Sequence, residues 1–481
     1  MYAGGGMDAL DSVVVDSAAL DTSGSASFGQ IHFGACVLGD KRLVKRAIKS
    51  ANAMLSRPGG TLPAKLHDAD LTGFYDLANN RKVTHANLIA AHTQRTRGLM
   101  GQAAGVVLII HDTTEADFSS LSAEGLGQIG NGWGRGFLLH NALAVDYAKK
   151  EVLGLVAQFP HVRRKVKRKE GVAASRAHPQ RESRLWVKGV DAVGVPPAGA
   201  LWVNLHDRGG DTFESLDRQQ RLEQSFVVRS RTNRTVRVRD KAGRMIRRKL
   251  HDWARRLPSM GQREIEVAGN HSQQARKAKV RISAGPVELQ VPKIKYGEHG
   301  REALAMWVVR VWEPDPPAGQ EALEWILLTN VPVTKREEAQ ERVDWYQCRP
   351  IVEEFHKAIK TGCGMELMQF TTRKALEASI AMLSVVATQL LRLRDLARHD
   401  DTLPATQVVA PEYVEALSLS RWKEARPDLS ARQFLAELGR MGGHRGRRGD
   451  GPPGWLVLWR GWCELQRLVD GMRLARLKRS G

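Results

Sequence analysis

The sequence predicts a mixed α/β protein of several domains, on three observations. At 481 residues the chain is too long for one ordinary core. Apolar residues recur at helical spacing near both ends, whereas the middle carries short apolar runs bounded by turn residues, as strands do. Apolar residues make up 42% and charged residues 26%, a balance that lets most of the chain fold.

Residues 1–27 are rich in Gly, Ser, Ala and Asp, with no Lys or Arg before Lys41, and read as a loose tail. An amphipathic helix follows Asp40: Val44, Ile48, Ala51 and Leu55 fall on one side, and Lys41, Arg42, Lys45, Arg46 and Lys49 surround the other. RPGG at 57–60 ends it. Helical stretches are expected at 64–77 and 85–100, with Asn79 and Asn80 in the turn between them. A helical domain at 28–100 with a basic helix is a plausible DNA reader, through Lys41, Arg42 and Lys45, although basic surface helices are also common.

From residue 101 the texture changes. VVLII at 106–110 reads as a buried strand ending on His111 and Asp112, and a hairpin is expected over 136–159. A second strand at 201–205 ends on His206 and Asp207. Further strands are expected at 226–229, 278–282, 287–291, 306–312 and 325–329, making a β-rich insertion at about 225–335 within a core domain of 101–400. Helical spacing returns after Arg349, at 376–397 and at 455–477, the last inside a C-terminal helical domain of 401–481.

Charge narrows the function. There are 73 Lys and Arg against 52 Asp and Glu, a net charge of +21 and a pI near 10.1. Residues 161–188 hold 10 Lys or Arg against 2 Glu, and residues 229–256 hold 12 against 2 Asp. Such concentrations suit a polyanion held by phosphate contacts and counterion release. Cys36, Cys348, Cys363 and Cys463 lie far apart and form no C-x-x-C, which points away from a zinc site or disulfide frame and towards a reducing, cytoplasmic setting. No window approaches the ~18 consecutive apolar residues that cross a bilayer, so no membrane partner is expected.

Metal-dependent cutting of a phosphodiester needs carboxylates brought together from separate elements. Asp112 and Asp207 each follow an apolar run, where a carboxylate reaches the carboxyl edge of a sheet; an Asp there also serves as an ordinary cap. Pro350 suits the first turn of a helix carrying Glu353, Lys357 and Lys360 on one face. That spacing permits a metal-holding acid beside phosphate-binding ammoniums, and equally a plain helix salt bridge.

As a set, these residues resemble the bacterial DDE transposases with a Y-x-x-R-x-x-x-E-x-x-x-x-x-x-K signature, the insertion-sequence group that includes the transposase of the composite kanamycin-resistance transposon. Tyr346, Arg349, Glu353 and Lys360 fit the four signature positions, and the likeness runs from about Phe33 to Leu477. The resemblance implies an RNase H-like core and two magnesium or manganese ions held by Asp112, Asp207 and Glu353. It also implies double-stranded DNA as partner, both transposon ends and target, in the bacterial nucleoid. Tyr346, Arg349 and Lys360 would contact phosphates, with Arg229 a further candidate, and Trp325 would stack on a flipped base rather than serve as a buried strand residue. Cut-and-paste transposition through a hairpin intermediate would follow. A silent DNA-binding regulator and a tyrosine recombinase using Tyr346 are the rival readings.

Pro350 stands where the family usually has an aromatic residue, which places Tyr346 and Arg349 in a turn before the helix. Leu458, Trp462, Leu465, Val469 and Met472 make a seam of coiled-coil spacing. Either it joins two protomers, as the resemblance implies for this dimerisation domain, or it packs on its own chain.

Overall fold

The computed structural model describes residues 27–57, 59–164, 171, 174, 178–267, 276–399, 403–407, 409–447 and 450–479. Residues 1–26 of the expected tail, and most of residues 165–177 in the basic segment, lie outside these.

The N-terminal helices are α1 Phe28–Phe33, α2 Lys41–Ser56, α3 Leu62–Lys65, α4 Asp68–Asn79 and α5 His85–Gln102. Asp40 caps α2 by accepting the Arg42 N–H at 2.8 Å, and Gly39 at φ +75° lets the chain turn into that cap. Thr84 and Asn87 form a reciprocal capping box on α5. The single helix expected at 64–77 is divided. Leu66 is extended and buried, and the chain restarts as α4 with Asp68 and Asp70 in its first turn, where carboxylates suit the helix dipole.

One sheet holds the twelve strands of the described residues: β1 Val106–Asp117, β2 Gly127–Ile129, β3 Gly134–Asp146, β4 Glu151–His161, β5 Leu201–His206, β6 Ser225–Arg229, β7 Thr235–Arg239, β8 Met245–Lys249, β9 Gly261–Val267, β10 Arg276–Leu289, β11 Leu304–Trp312 and β12 Glu324–Thr329. Their order is β2-β3-β1-β5-β6-β12-β11-β10-β7-β8, with β4 also on β3 and β9 also on β10. β5 is parallel to β1 and β6 to β5; the other pairs are antiparallel. The β-rich stretch at 225–335 is therefore a continuation of the core sheet through β6 and β12, with its own apolar cluster around Phe226, Val287 and Leu328.

Two expected strands, 278–282 and 287–291, are joined in one strand, β10, which ends at Leu289. Ser283, Gly285 and Pro286, between the two expected strands, stay in register with β11. Between 283 and 287 the other edge of β10 has no strand partner, which is where a proline without an N–H is tolerated. β1 is likewise longer than its apolar run, so Asp112 lies within the strand and not after it.

Alternation along β1 sorts its side chains between two layers. Leu108 and Ile110 join the large cluster shared with the helices, and Val107 and Ile109 join a smaller one with Met100 and Trp202 on the opposite face. The helix Arg373–His399 packs on β4 and α5. Its segment 373–392 is long and apolar enough to cross a membrane by composition, yet it is mostly buried in protein.

The C-terminal helix is Trp455–Arg479. Leu458, Trp462, Leu465 and Val469 are buried in the chain's own core, and Trp462 stacks on Tyr413 at 4.8 Å. The expected dimer seam is thus used within the chain.

Candidate functional site

Parity and register bring the first two acids together. His111 pairs with His206 across the parallel strands β1 and β5, so Asp112 and Asp207 are the next neighbours, on the face of Leu108, Ile110, Val203 and Leu205. Asp207 leaves β5 to cap the turn Arg208–Gly210, accepting the Gly209 N–H at 2.7 Å. Gly209 is required there: a Cβ would stand 2.8 Å from the Trp186 ring and 3.0 Å from the Asp207 carboxylate. Asp112 accepts the Thr113 N–H at 2.8 Å.

The signature is divided by Pro350, as the sequence suggests, although Tyr346 belongs to the last turn of the helix Arg336–Gln347 and only Arg349 lies in the connection. The next helix, Ile351–Lys357, has Pro350 as its cap and is seated by Val352 and Phe355, both fully buried in the cluster beneath Asp112. Glu353 is thereby turned to the open side.

All three carboxylates meet one cation. The Arg349 guanidinium lies 3.1 Å from Asp112 and 3.8 Å from Asp207, and it hydrogen-bonds Glu353. The salt bridge that the Glu353 spacing allowed with Lys357 is replaced by this pairing with Arg349. Side-chain exposure rises from 15% at Asp112 to 34% at Asp207 and 48% at Glu353, so the site is a funnel with Asp112 at its floor. Burial pushes the Asp112 carboxyl up to about 6; Arg349 opposes this, and the charges of Asp207 and Glu353 add to it.

Among the described residues no group of three or more His, Cys, Asp or Glu side chains is disposed to hold a metal ion as it stands. The donor set nevertheless suits a hard divalent cation: three carboxylates from three elements already surround one positive charge. Their present spacing is that of a guanidinium.

An open cleft of about 1430 Å³ leads away from Arg349, lined by Lys150, Arg229, Lys277, Trp325 and Tyr346. Trp325 is half-buried on β12, its ring 5.3 Å from Tyr346 and edge-on. Tyr346 is buried, and burial raises its phenol above the usual range despite a hydrogen bond from Arg229. Arg229 also donates to the Glu324 carbonyl at 3.2 Å. The structure therefore gathers Asp112, Asp207, Glu353, Arg349, Arg229, Tyr346 and Trp325 at one place.

Other candidates stand apart. Lys360 lies in a π-helical turn, Ala358–Gly362, and pairs with Glu366 at 3.1 Å, while Lys357 is exposed. Lys41, Arg42 and Lys45 are exposed on α2, and among the described residues none of their side chains pairs with a carboxylate, unlike Lys49 with Asp70 and Arg46 with Asp76.

Two structural roles were not legible in the sequence. Asp211 is fully buried, pairs with Arg234 at 2.5 Å and accepts the Arg231 N–H at 2.7 Å, tying the Asp207 turn to the loop after β6. Behind the acids, His111, His140 and His206 form a buried imidazole cluster with Trp186, at ring separations of 4.6–5.8 Å. The His-Asp pair repeated at 111–112 and 206–207 was the available signal for the second.

Residues 25–83 match the Transposase DNA-binding family, a span covering α1 to α4 and the turn that follows. The matched span lies within the expected helical domain of 28–100 except for its first three residues and stops short of α5. This match marks an N-terminal transposase DNA-binding domain and a DNA partner, and it supports reading the chain as a transposase.

Proposed function

We propose that the chain is a cut-and-paste DDE transposase whose reaction centre is Asp112, Asp207 and Glu353. The observation that carries this reading is their convergence on Arg349, from positions 95 and 146 residues apart in sequence, beside a cleft whose lining includes Lys150, Arg229, Lys277, Trp325 and Tyr346 together with the acids Glu266 and Asp344. An RNase H-like core is supported by the order β4-β3-β1-β5-β6, an antiparallel triplet joined to two parallel strands.

The three carboxylates would hold two divalent ions, magnesium or manganese, whose chemistry when bound is to activate an attacking oxygen and stabilise the leaving one. The chain's own residues do the rest. Arg349 is displaced from between the acids and is long enough to turn onto a DNA phosphate, with Arg229 beside it. Tyr346 braces Arg229 and the edge of Trp325. The Trp325 face receives a base unstacked at the cut end, as formation of a hairpin demands. Lys357 and Lys360 neutralise phosphates farther out. The N-terminal domain carries the inverted repeat, and two protomers would pair the two ends before both are joined to target DNA.

The test is cleavage, in magnesium, of DNA carrying the inverted repeats that bracket the coding sequence. The wild type should nick and release the end; Glu353→Gln should bind as well and not cut. Equal cutting by both proteins would remove Glu353 from the reaction. A covalent protein-DNA adduct surviving chelation would replace this reading with a tyrosine recombinase.

A further inference from the structure

Beyond Asp112 the sheet changes shape. β5 ends at His206, level with His111, but β1 runs on to Asp117, paired only with β3. β3 in turn reaches Gly134 and pairs there with β2. These strands form an arm that passes the edge where the three acids lie. At roughly 3.3 Å per residue, Asp117 stands about 16 Å past Asp112 and the arm's tip about 10 Å farther.

The arm is stiff. A Cβ on Gly136 would come 1.9 Å from the Ala116 carbonyl oxygen, and one on Gly134 would come 2.8 Å from Ile129, so both strands close tightly on glycine. Glu115 accepts the Gly130 N–H at 2.8 Å and pairs with Arg163 at 3.0 Å, which also pairs with Glu182 at 2.9 Å. Ser119 accepts the Arg135 N–H at 2.9 Å. On the side facing the reaction centre, Glu366 accepts the Asp117 N–H at 3.1 Å and holds Lys360 at 3.1 Å.

The tip is Gly130, Asn131, Gly132 and Trp133, with Gly130 at φ +59° and Gly132 at φ +102°. Trp133 is 89% exposed, on a tip whose backbone is tied down. A tryptophan is ordinarily among the more buried residues, and here a braced turn presents its indole to solvent. Arg135 is exposed beside it, and the chain leaves the neighbouring β4 through Arg163 and Arg164 into the basic sequence of residues 165–169.

We propose that Trp133 is a second aromatic DNA contact, separate from Trp325: a wedge that inserts at a base step of duplex DNA lying along the arm, about eight base pairs from the cleaved bond. This rests on the transposase reading above. The spacing follows from the arm's ~26 Å reach and the ~3.4 Å rise per base pair. An apolar side chain driven between base steps unstacks and bends the duplex, and in doing so brings more of the DNA against the protein. Bending beside the reaction centre steers the DNA away from the arm's root and over Lys360.

The experiment uses full-length protein in the Glu353→Gln background, which holds uncut DNA. The probe is a duplex carrying the terminal repeat and its flank, with 2-aminopurine placed singly 4 to 12 base pairs on each side of the cleavage point. Trp133→Ala should weaken binding roughly 5- to 100-fold and abolish the fluorescence change at one cluster of positions, whereas Trp133→Phe keeps most of both. If Trp133→Ala binds within twofold and alters no position, the wedge is refuted while the transposase reading stands. If the parent protein does not recognise the terminal repeat, both fall. If Trp133→Ala changes only the sedimentation of the free protein, the indole serves a second copy of the chain and the DNA contact is overturned. At 89% exposure the substitution should leave the thermal midpoint unmoved, which separates loss of contact from loss of fold.

Discussion

The two faces of the β1–β5 pair carry the same dipeptide to opposite ends. His111-Asp112 and His206-Asp207 lie side by side in register, and the period of two turns both acids to one face and both imidazoles to the other. On the acid face the charges stay partly open to water and share one cation, Arg349. On the imidazole face everything is sealed: His111, His140 and His206 are fully buried, and Gly189, in the helix Arg184–Val193, lies against two of them. One residue's shift therefore separates a place where charge is exchanged from a place where charge is forbidden.

The largest expected effect breaks the acid face alone. Asp112→Asn, Asp207→Asn and Glu353→Gln should each lower cleavage by about 10²- to 10³-fold or more, while thermal stability holds or rises because like charges are relieved. Parallel rate and melting measurements check this. A carboxamide variant that cuts normally would take that residue out of the reaction.

The imidazole face should answer in stability. A Cβ on Gly189 would lie 2.7 Å from His111 Nδ1 and 2.9 Å from His140 Nε2, so Gly189→Ala should cost about 1–3 kcal/mol through overpacking, read as a lower urea midpoint. Acid should act on the same face. Burial pushes His111 down to about 4, and it does the same to His85 and His92 on α5, which lie against the other face of the sheet, at about 4 and about 3. Between those values and an unfolded value near 6.5, the unfolded chain takes up protons that the folded one refuses. The stability these neutral rings allow is therefore complete above pH ~6.5 and is lost as pH falls towards 4. Urea midpoints at pH 7 and 5 should differ in that direction when read in Asp112→Asn, because the wild-type carboxyl, raised to about 6, gains stability over the same range; a flat profile there would mean that the rings are not held neutral.

How much of this could be read from the sequence follows the same division. VVLII fixed β1 because a doubly buried strand is apolar on both faces, whereas Tyr346, Arg349, Glu353 and Lys360 stood out only through the family resemblance, since their spacing alone allowed a plain helix salt bridge. Asp112 and Asp207 were legible as acids after apolar runs, but their adjacency depends on a parallel register that no local pattern encodes. The guanidinium between them was invisible for a related reason: it joins residues 237 positions apart, Asp112 and Arg349. The C-terminal seam shows the opposite limit. Its spacing was read correctly, yet coiled-coil periodicity describes only which face is apolar, and Tyr413, 49 residues before Trp462, supplies the partner. Likewise the gap in β10's second edge, which makes Pro286 tolerable, is a property of the sheet and not of the segment.

Arg349 sharpens the comparison because it pairs with all three acids and, under the proposed function, would have to leave them. Arg349→Ala should lower the melting point of the metal-free protein, since three carboxylates then face one another without a counter-cation. Added manganese should raise the variant's melting point more than the wild type's, as the ion no longer competes with a guanidinium. Equal shifts in the two proteins would mean that Arg349 does not occupy the ion's place.

The smallest effect lies farthest from the acids, on α2. Lys41, Arg42 and Lys45 stand exposed without carboxylate partners among the described residues, in the span that matches the transposase DNA-binding family. If all three meet phosphates, replacing them by alanine removes three released counterions, and the slope of log affinity against log salt should fall by about 2.7. At low salt the loss of affinity should be modest and the cleavage rate at saturating protein unchanged, because no step at the acids passes through α2. A rate that fell at saturation would couple the two regions and show that the N-terminal domain helps assemble the site. An unchanged slope would move the DNA to another face of the same domain, where Lys49 and Arg46 are already engaged by Asp70 and Asp76.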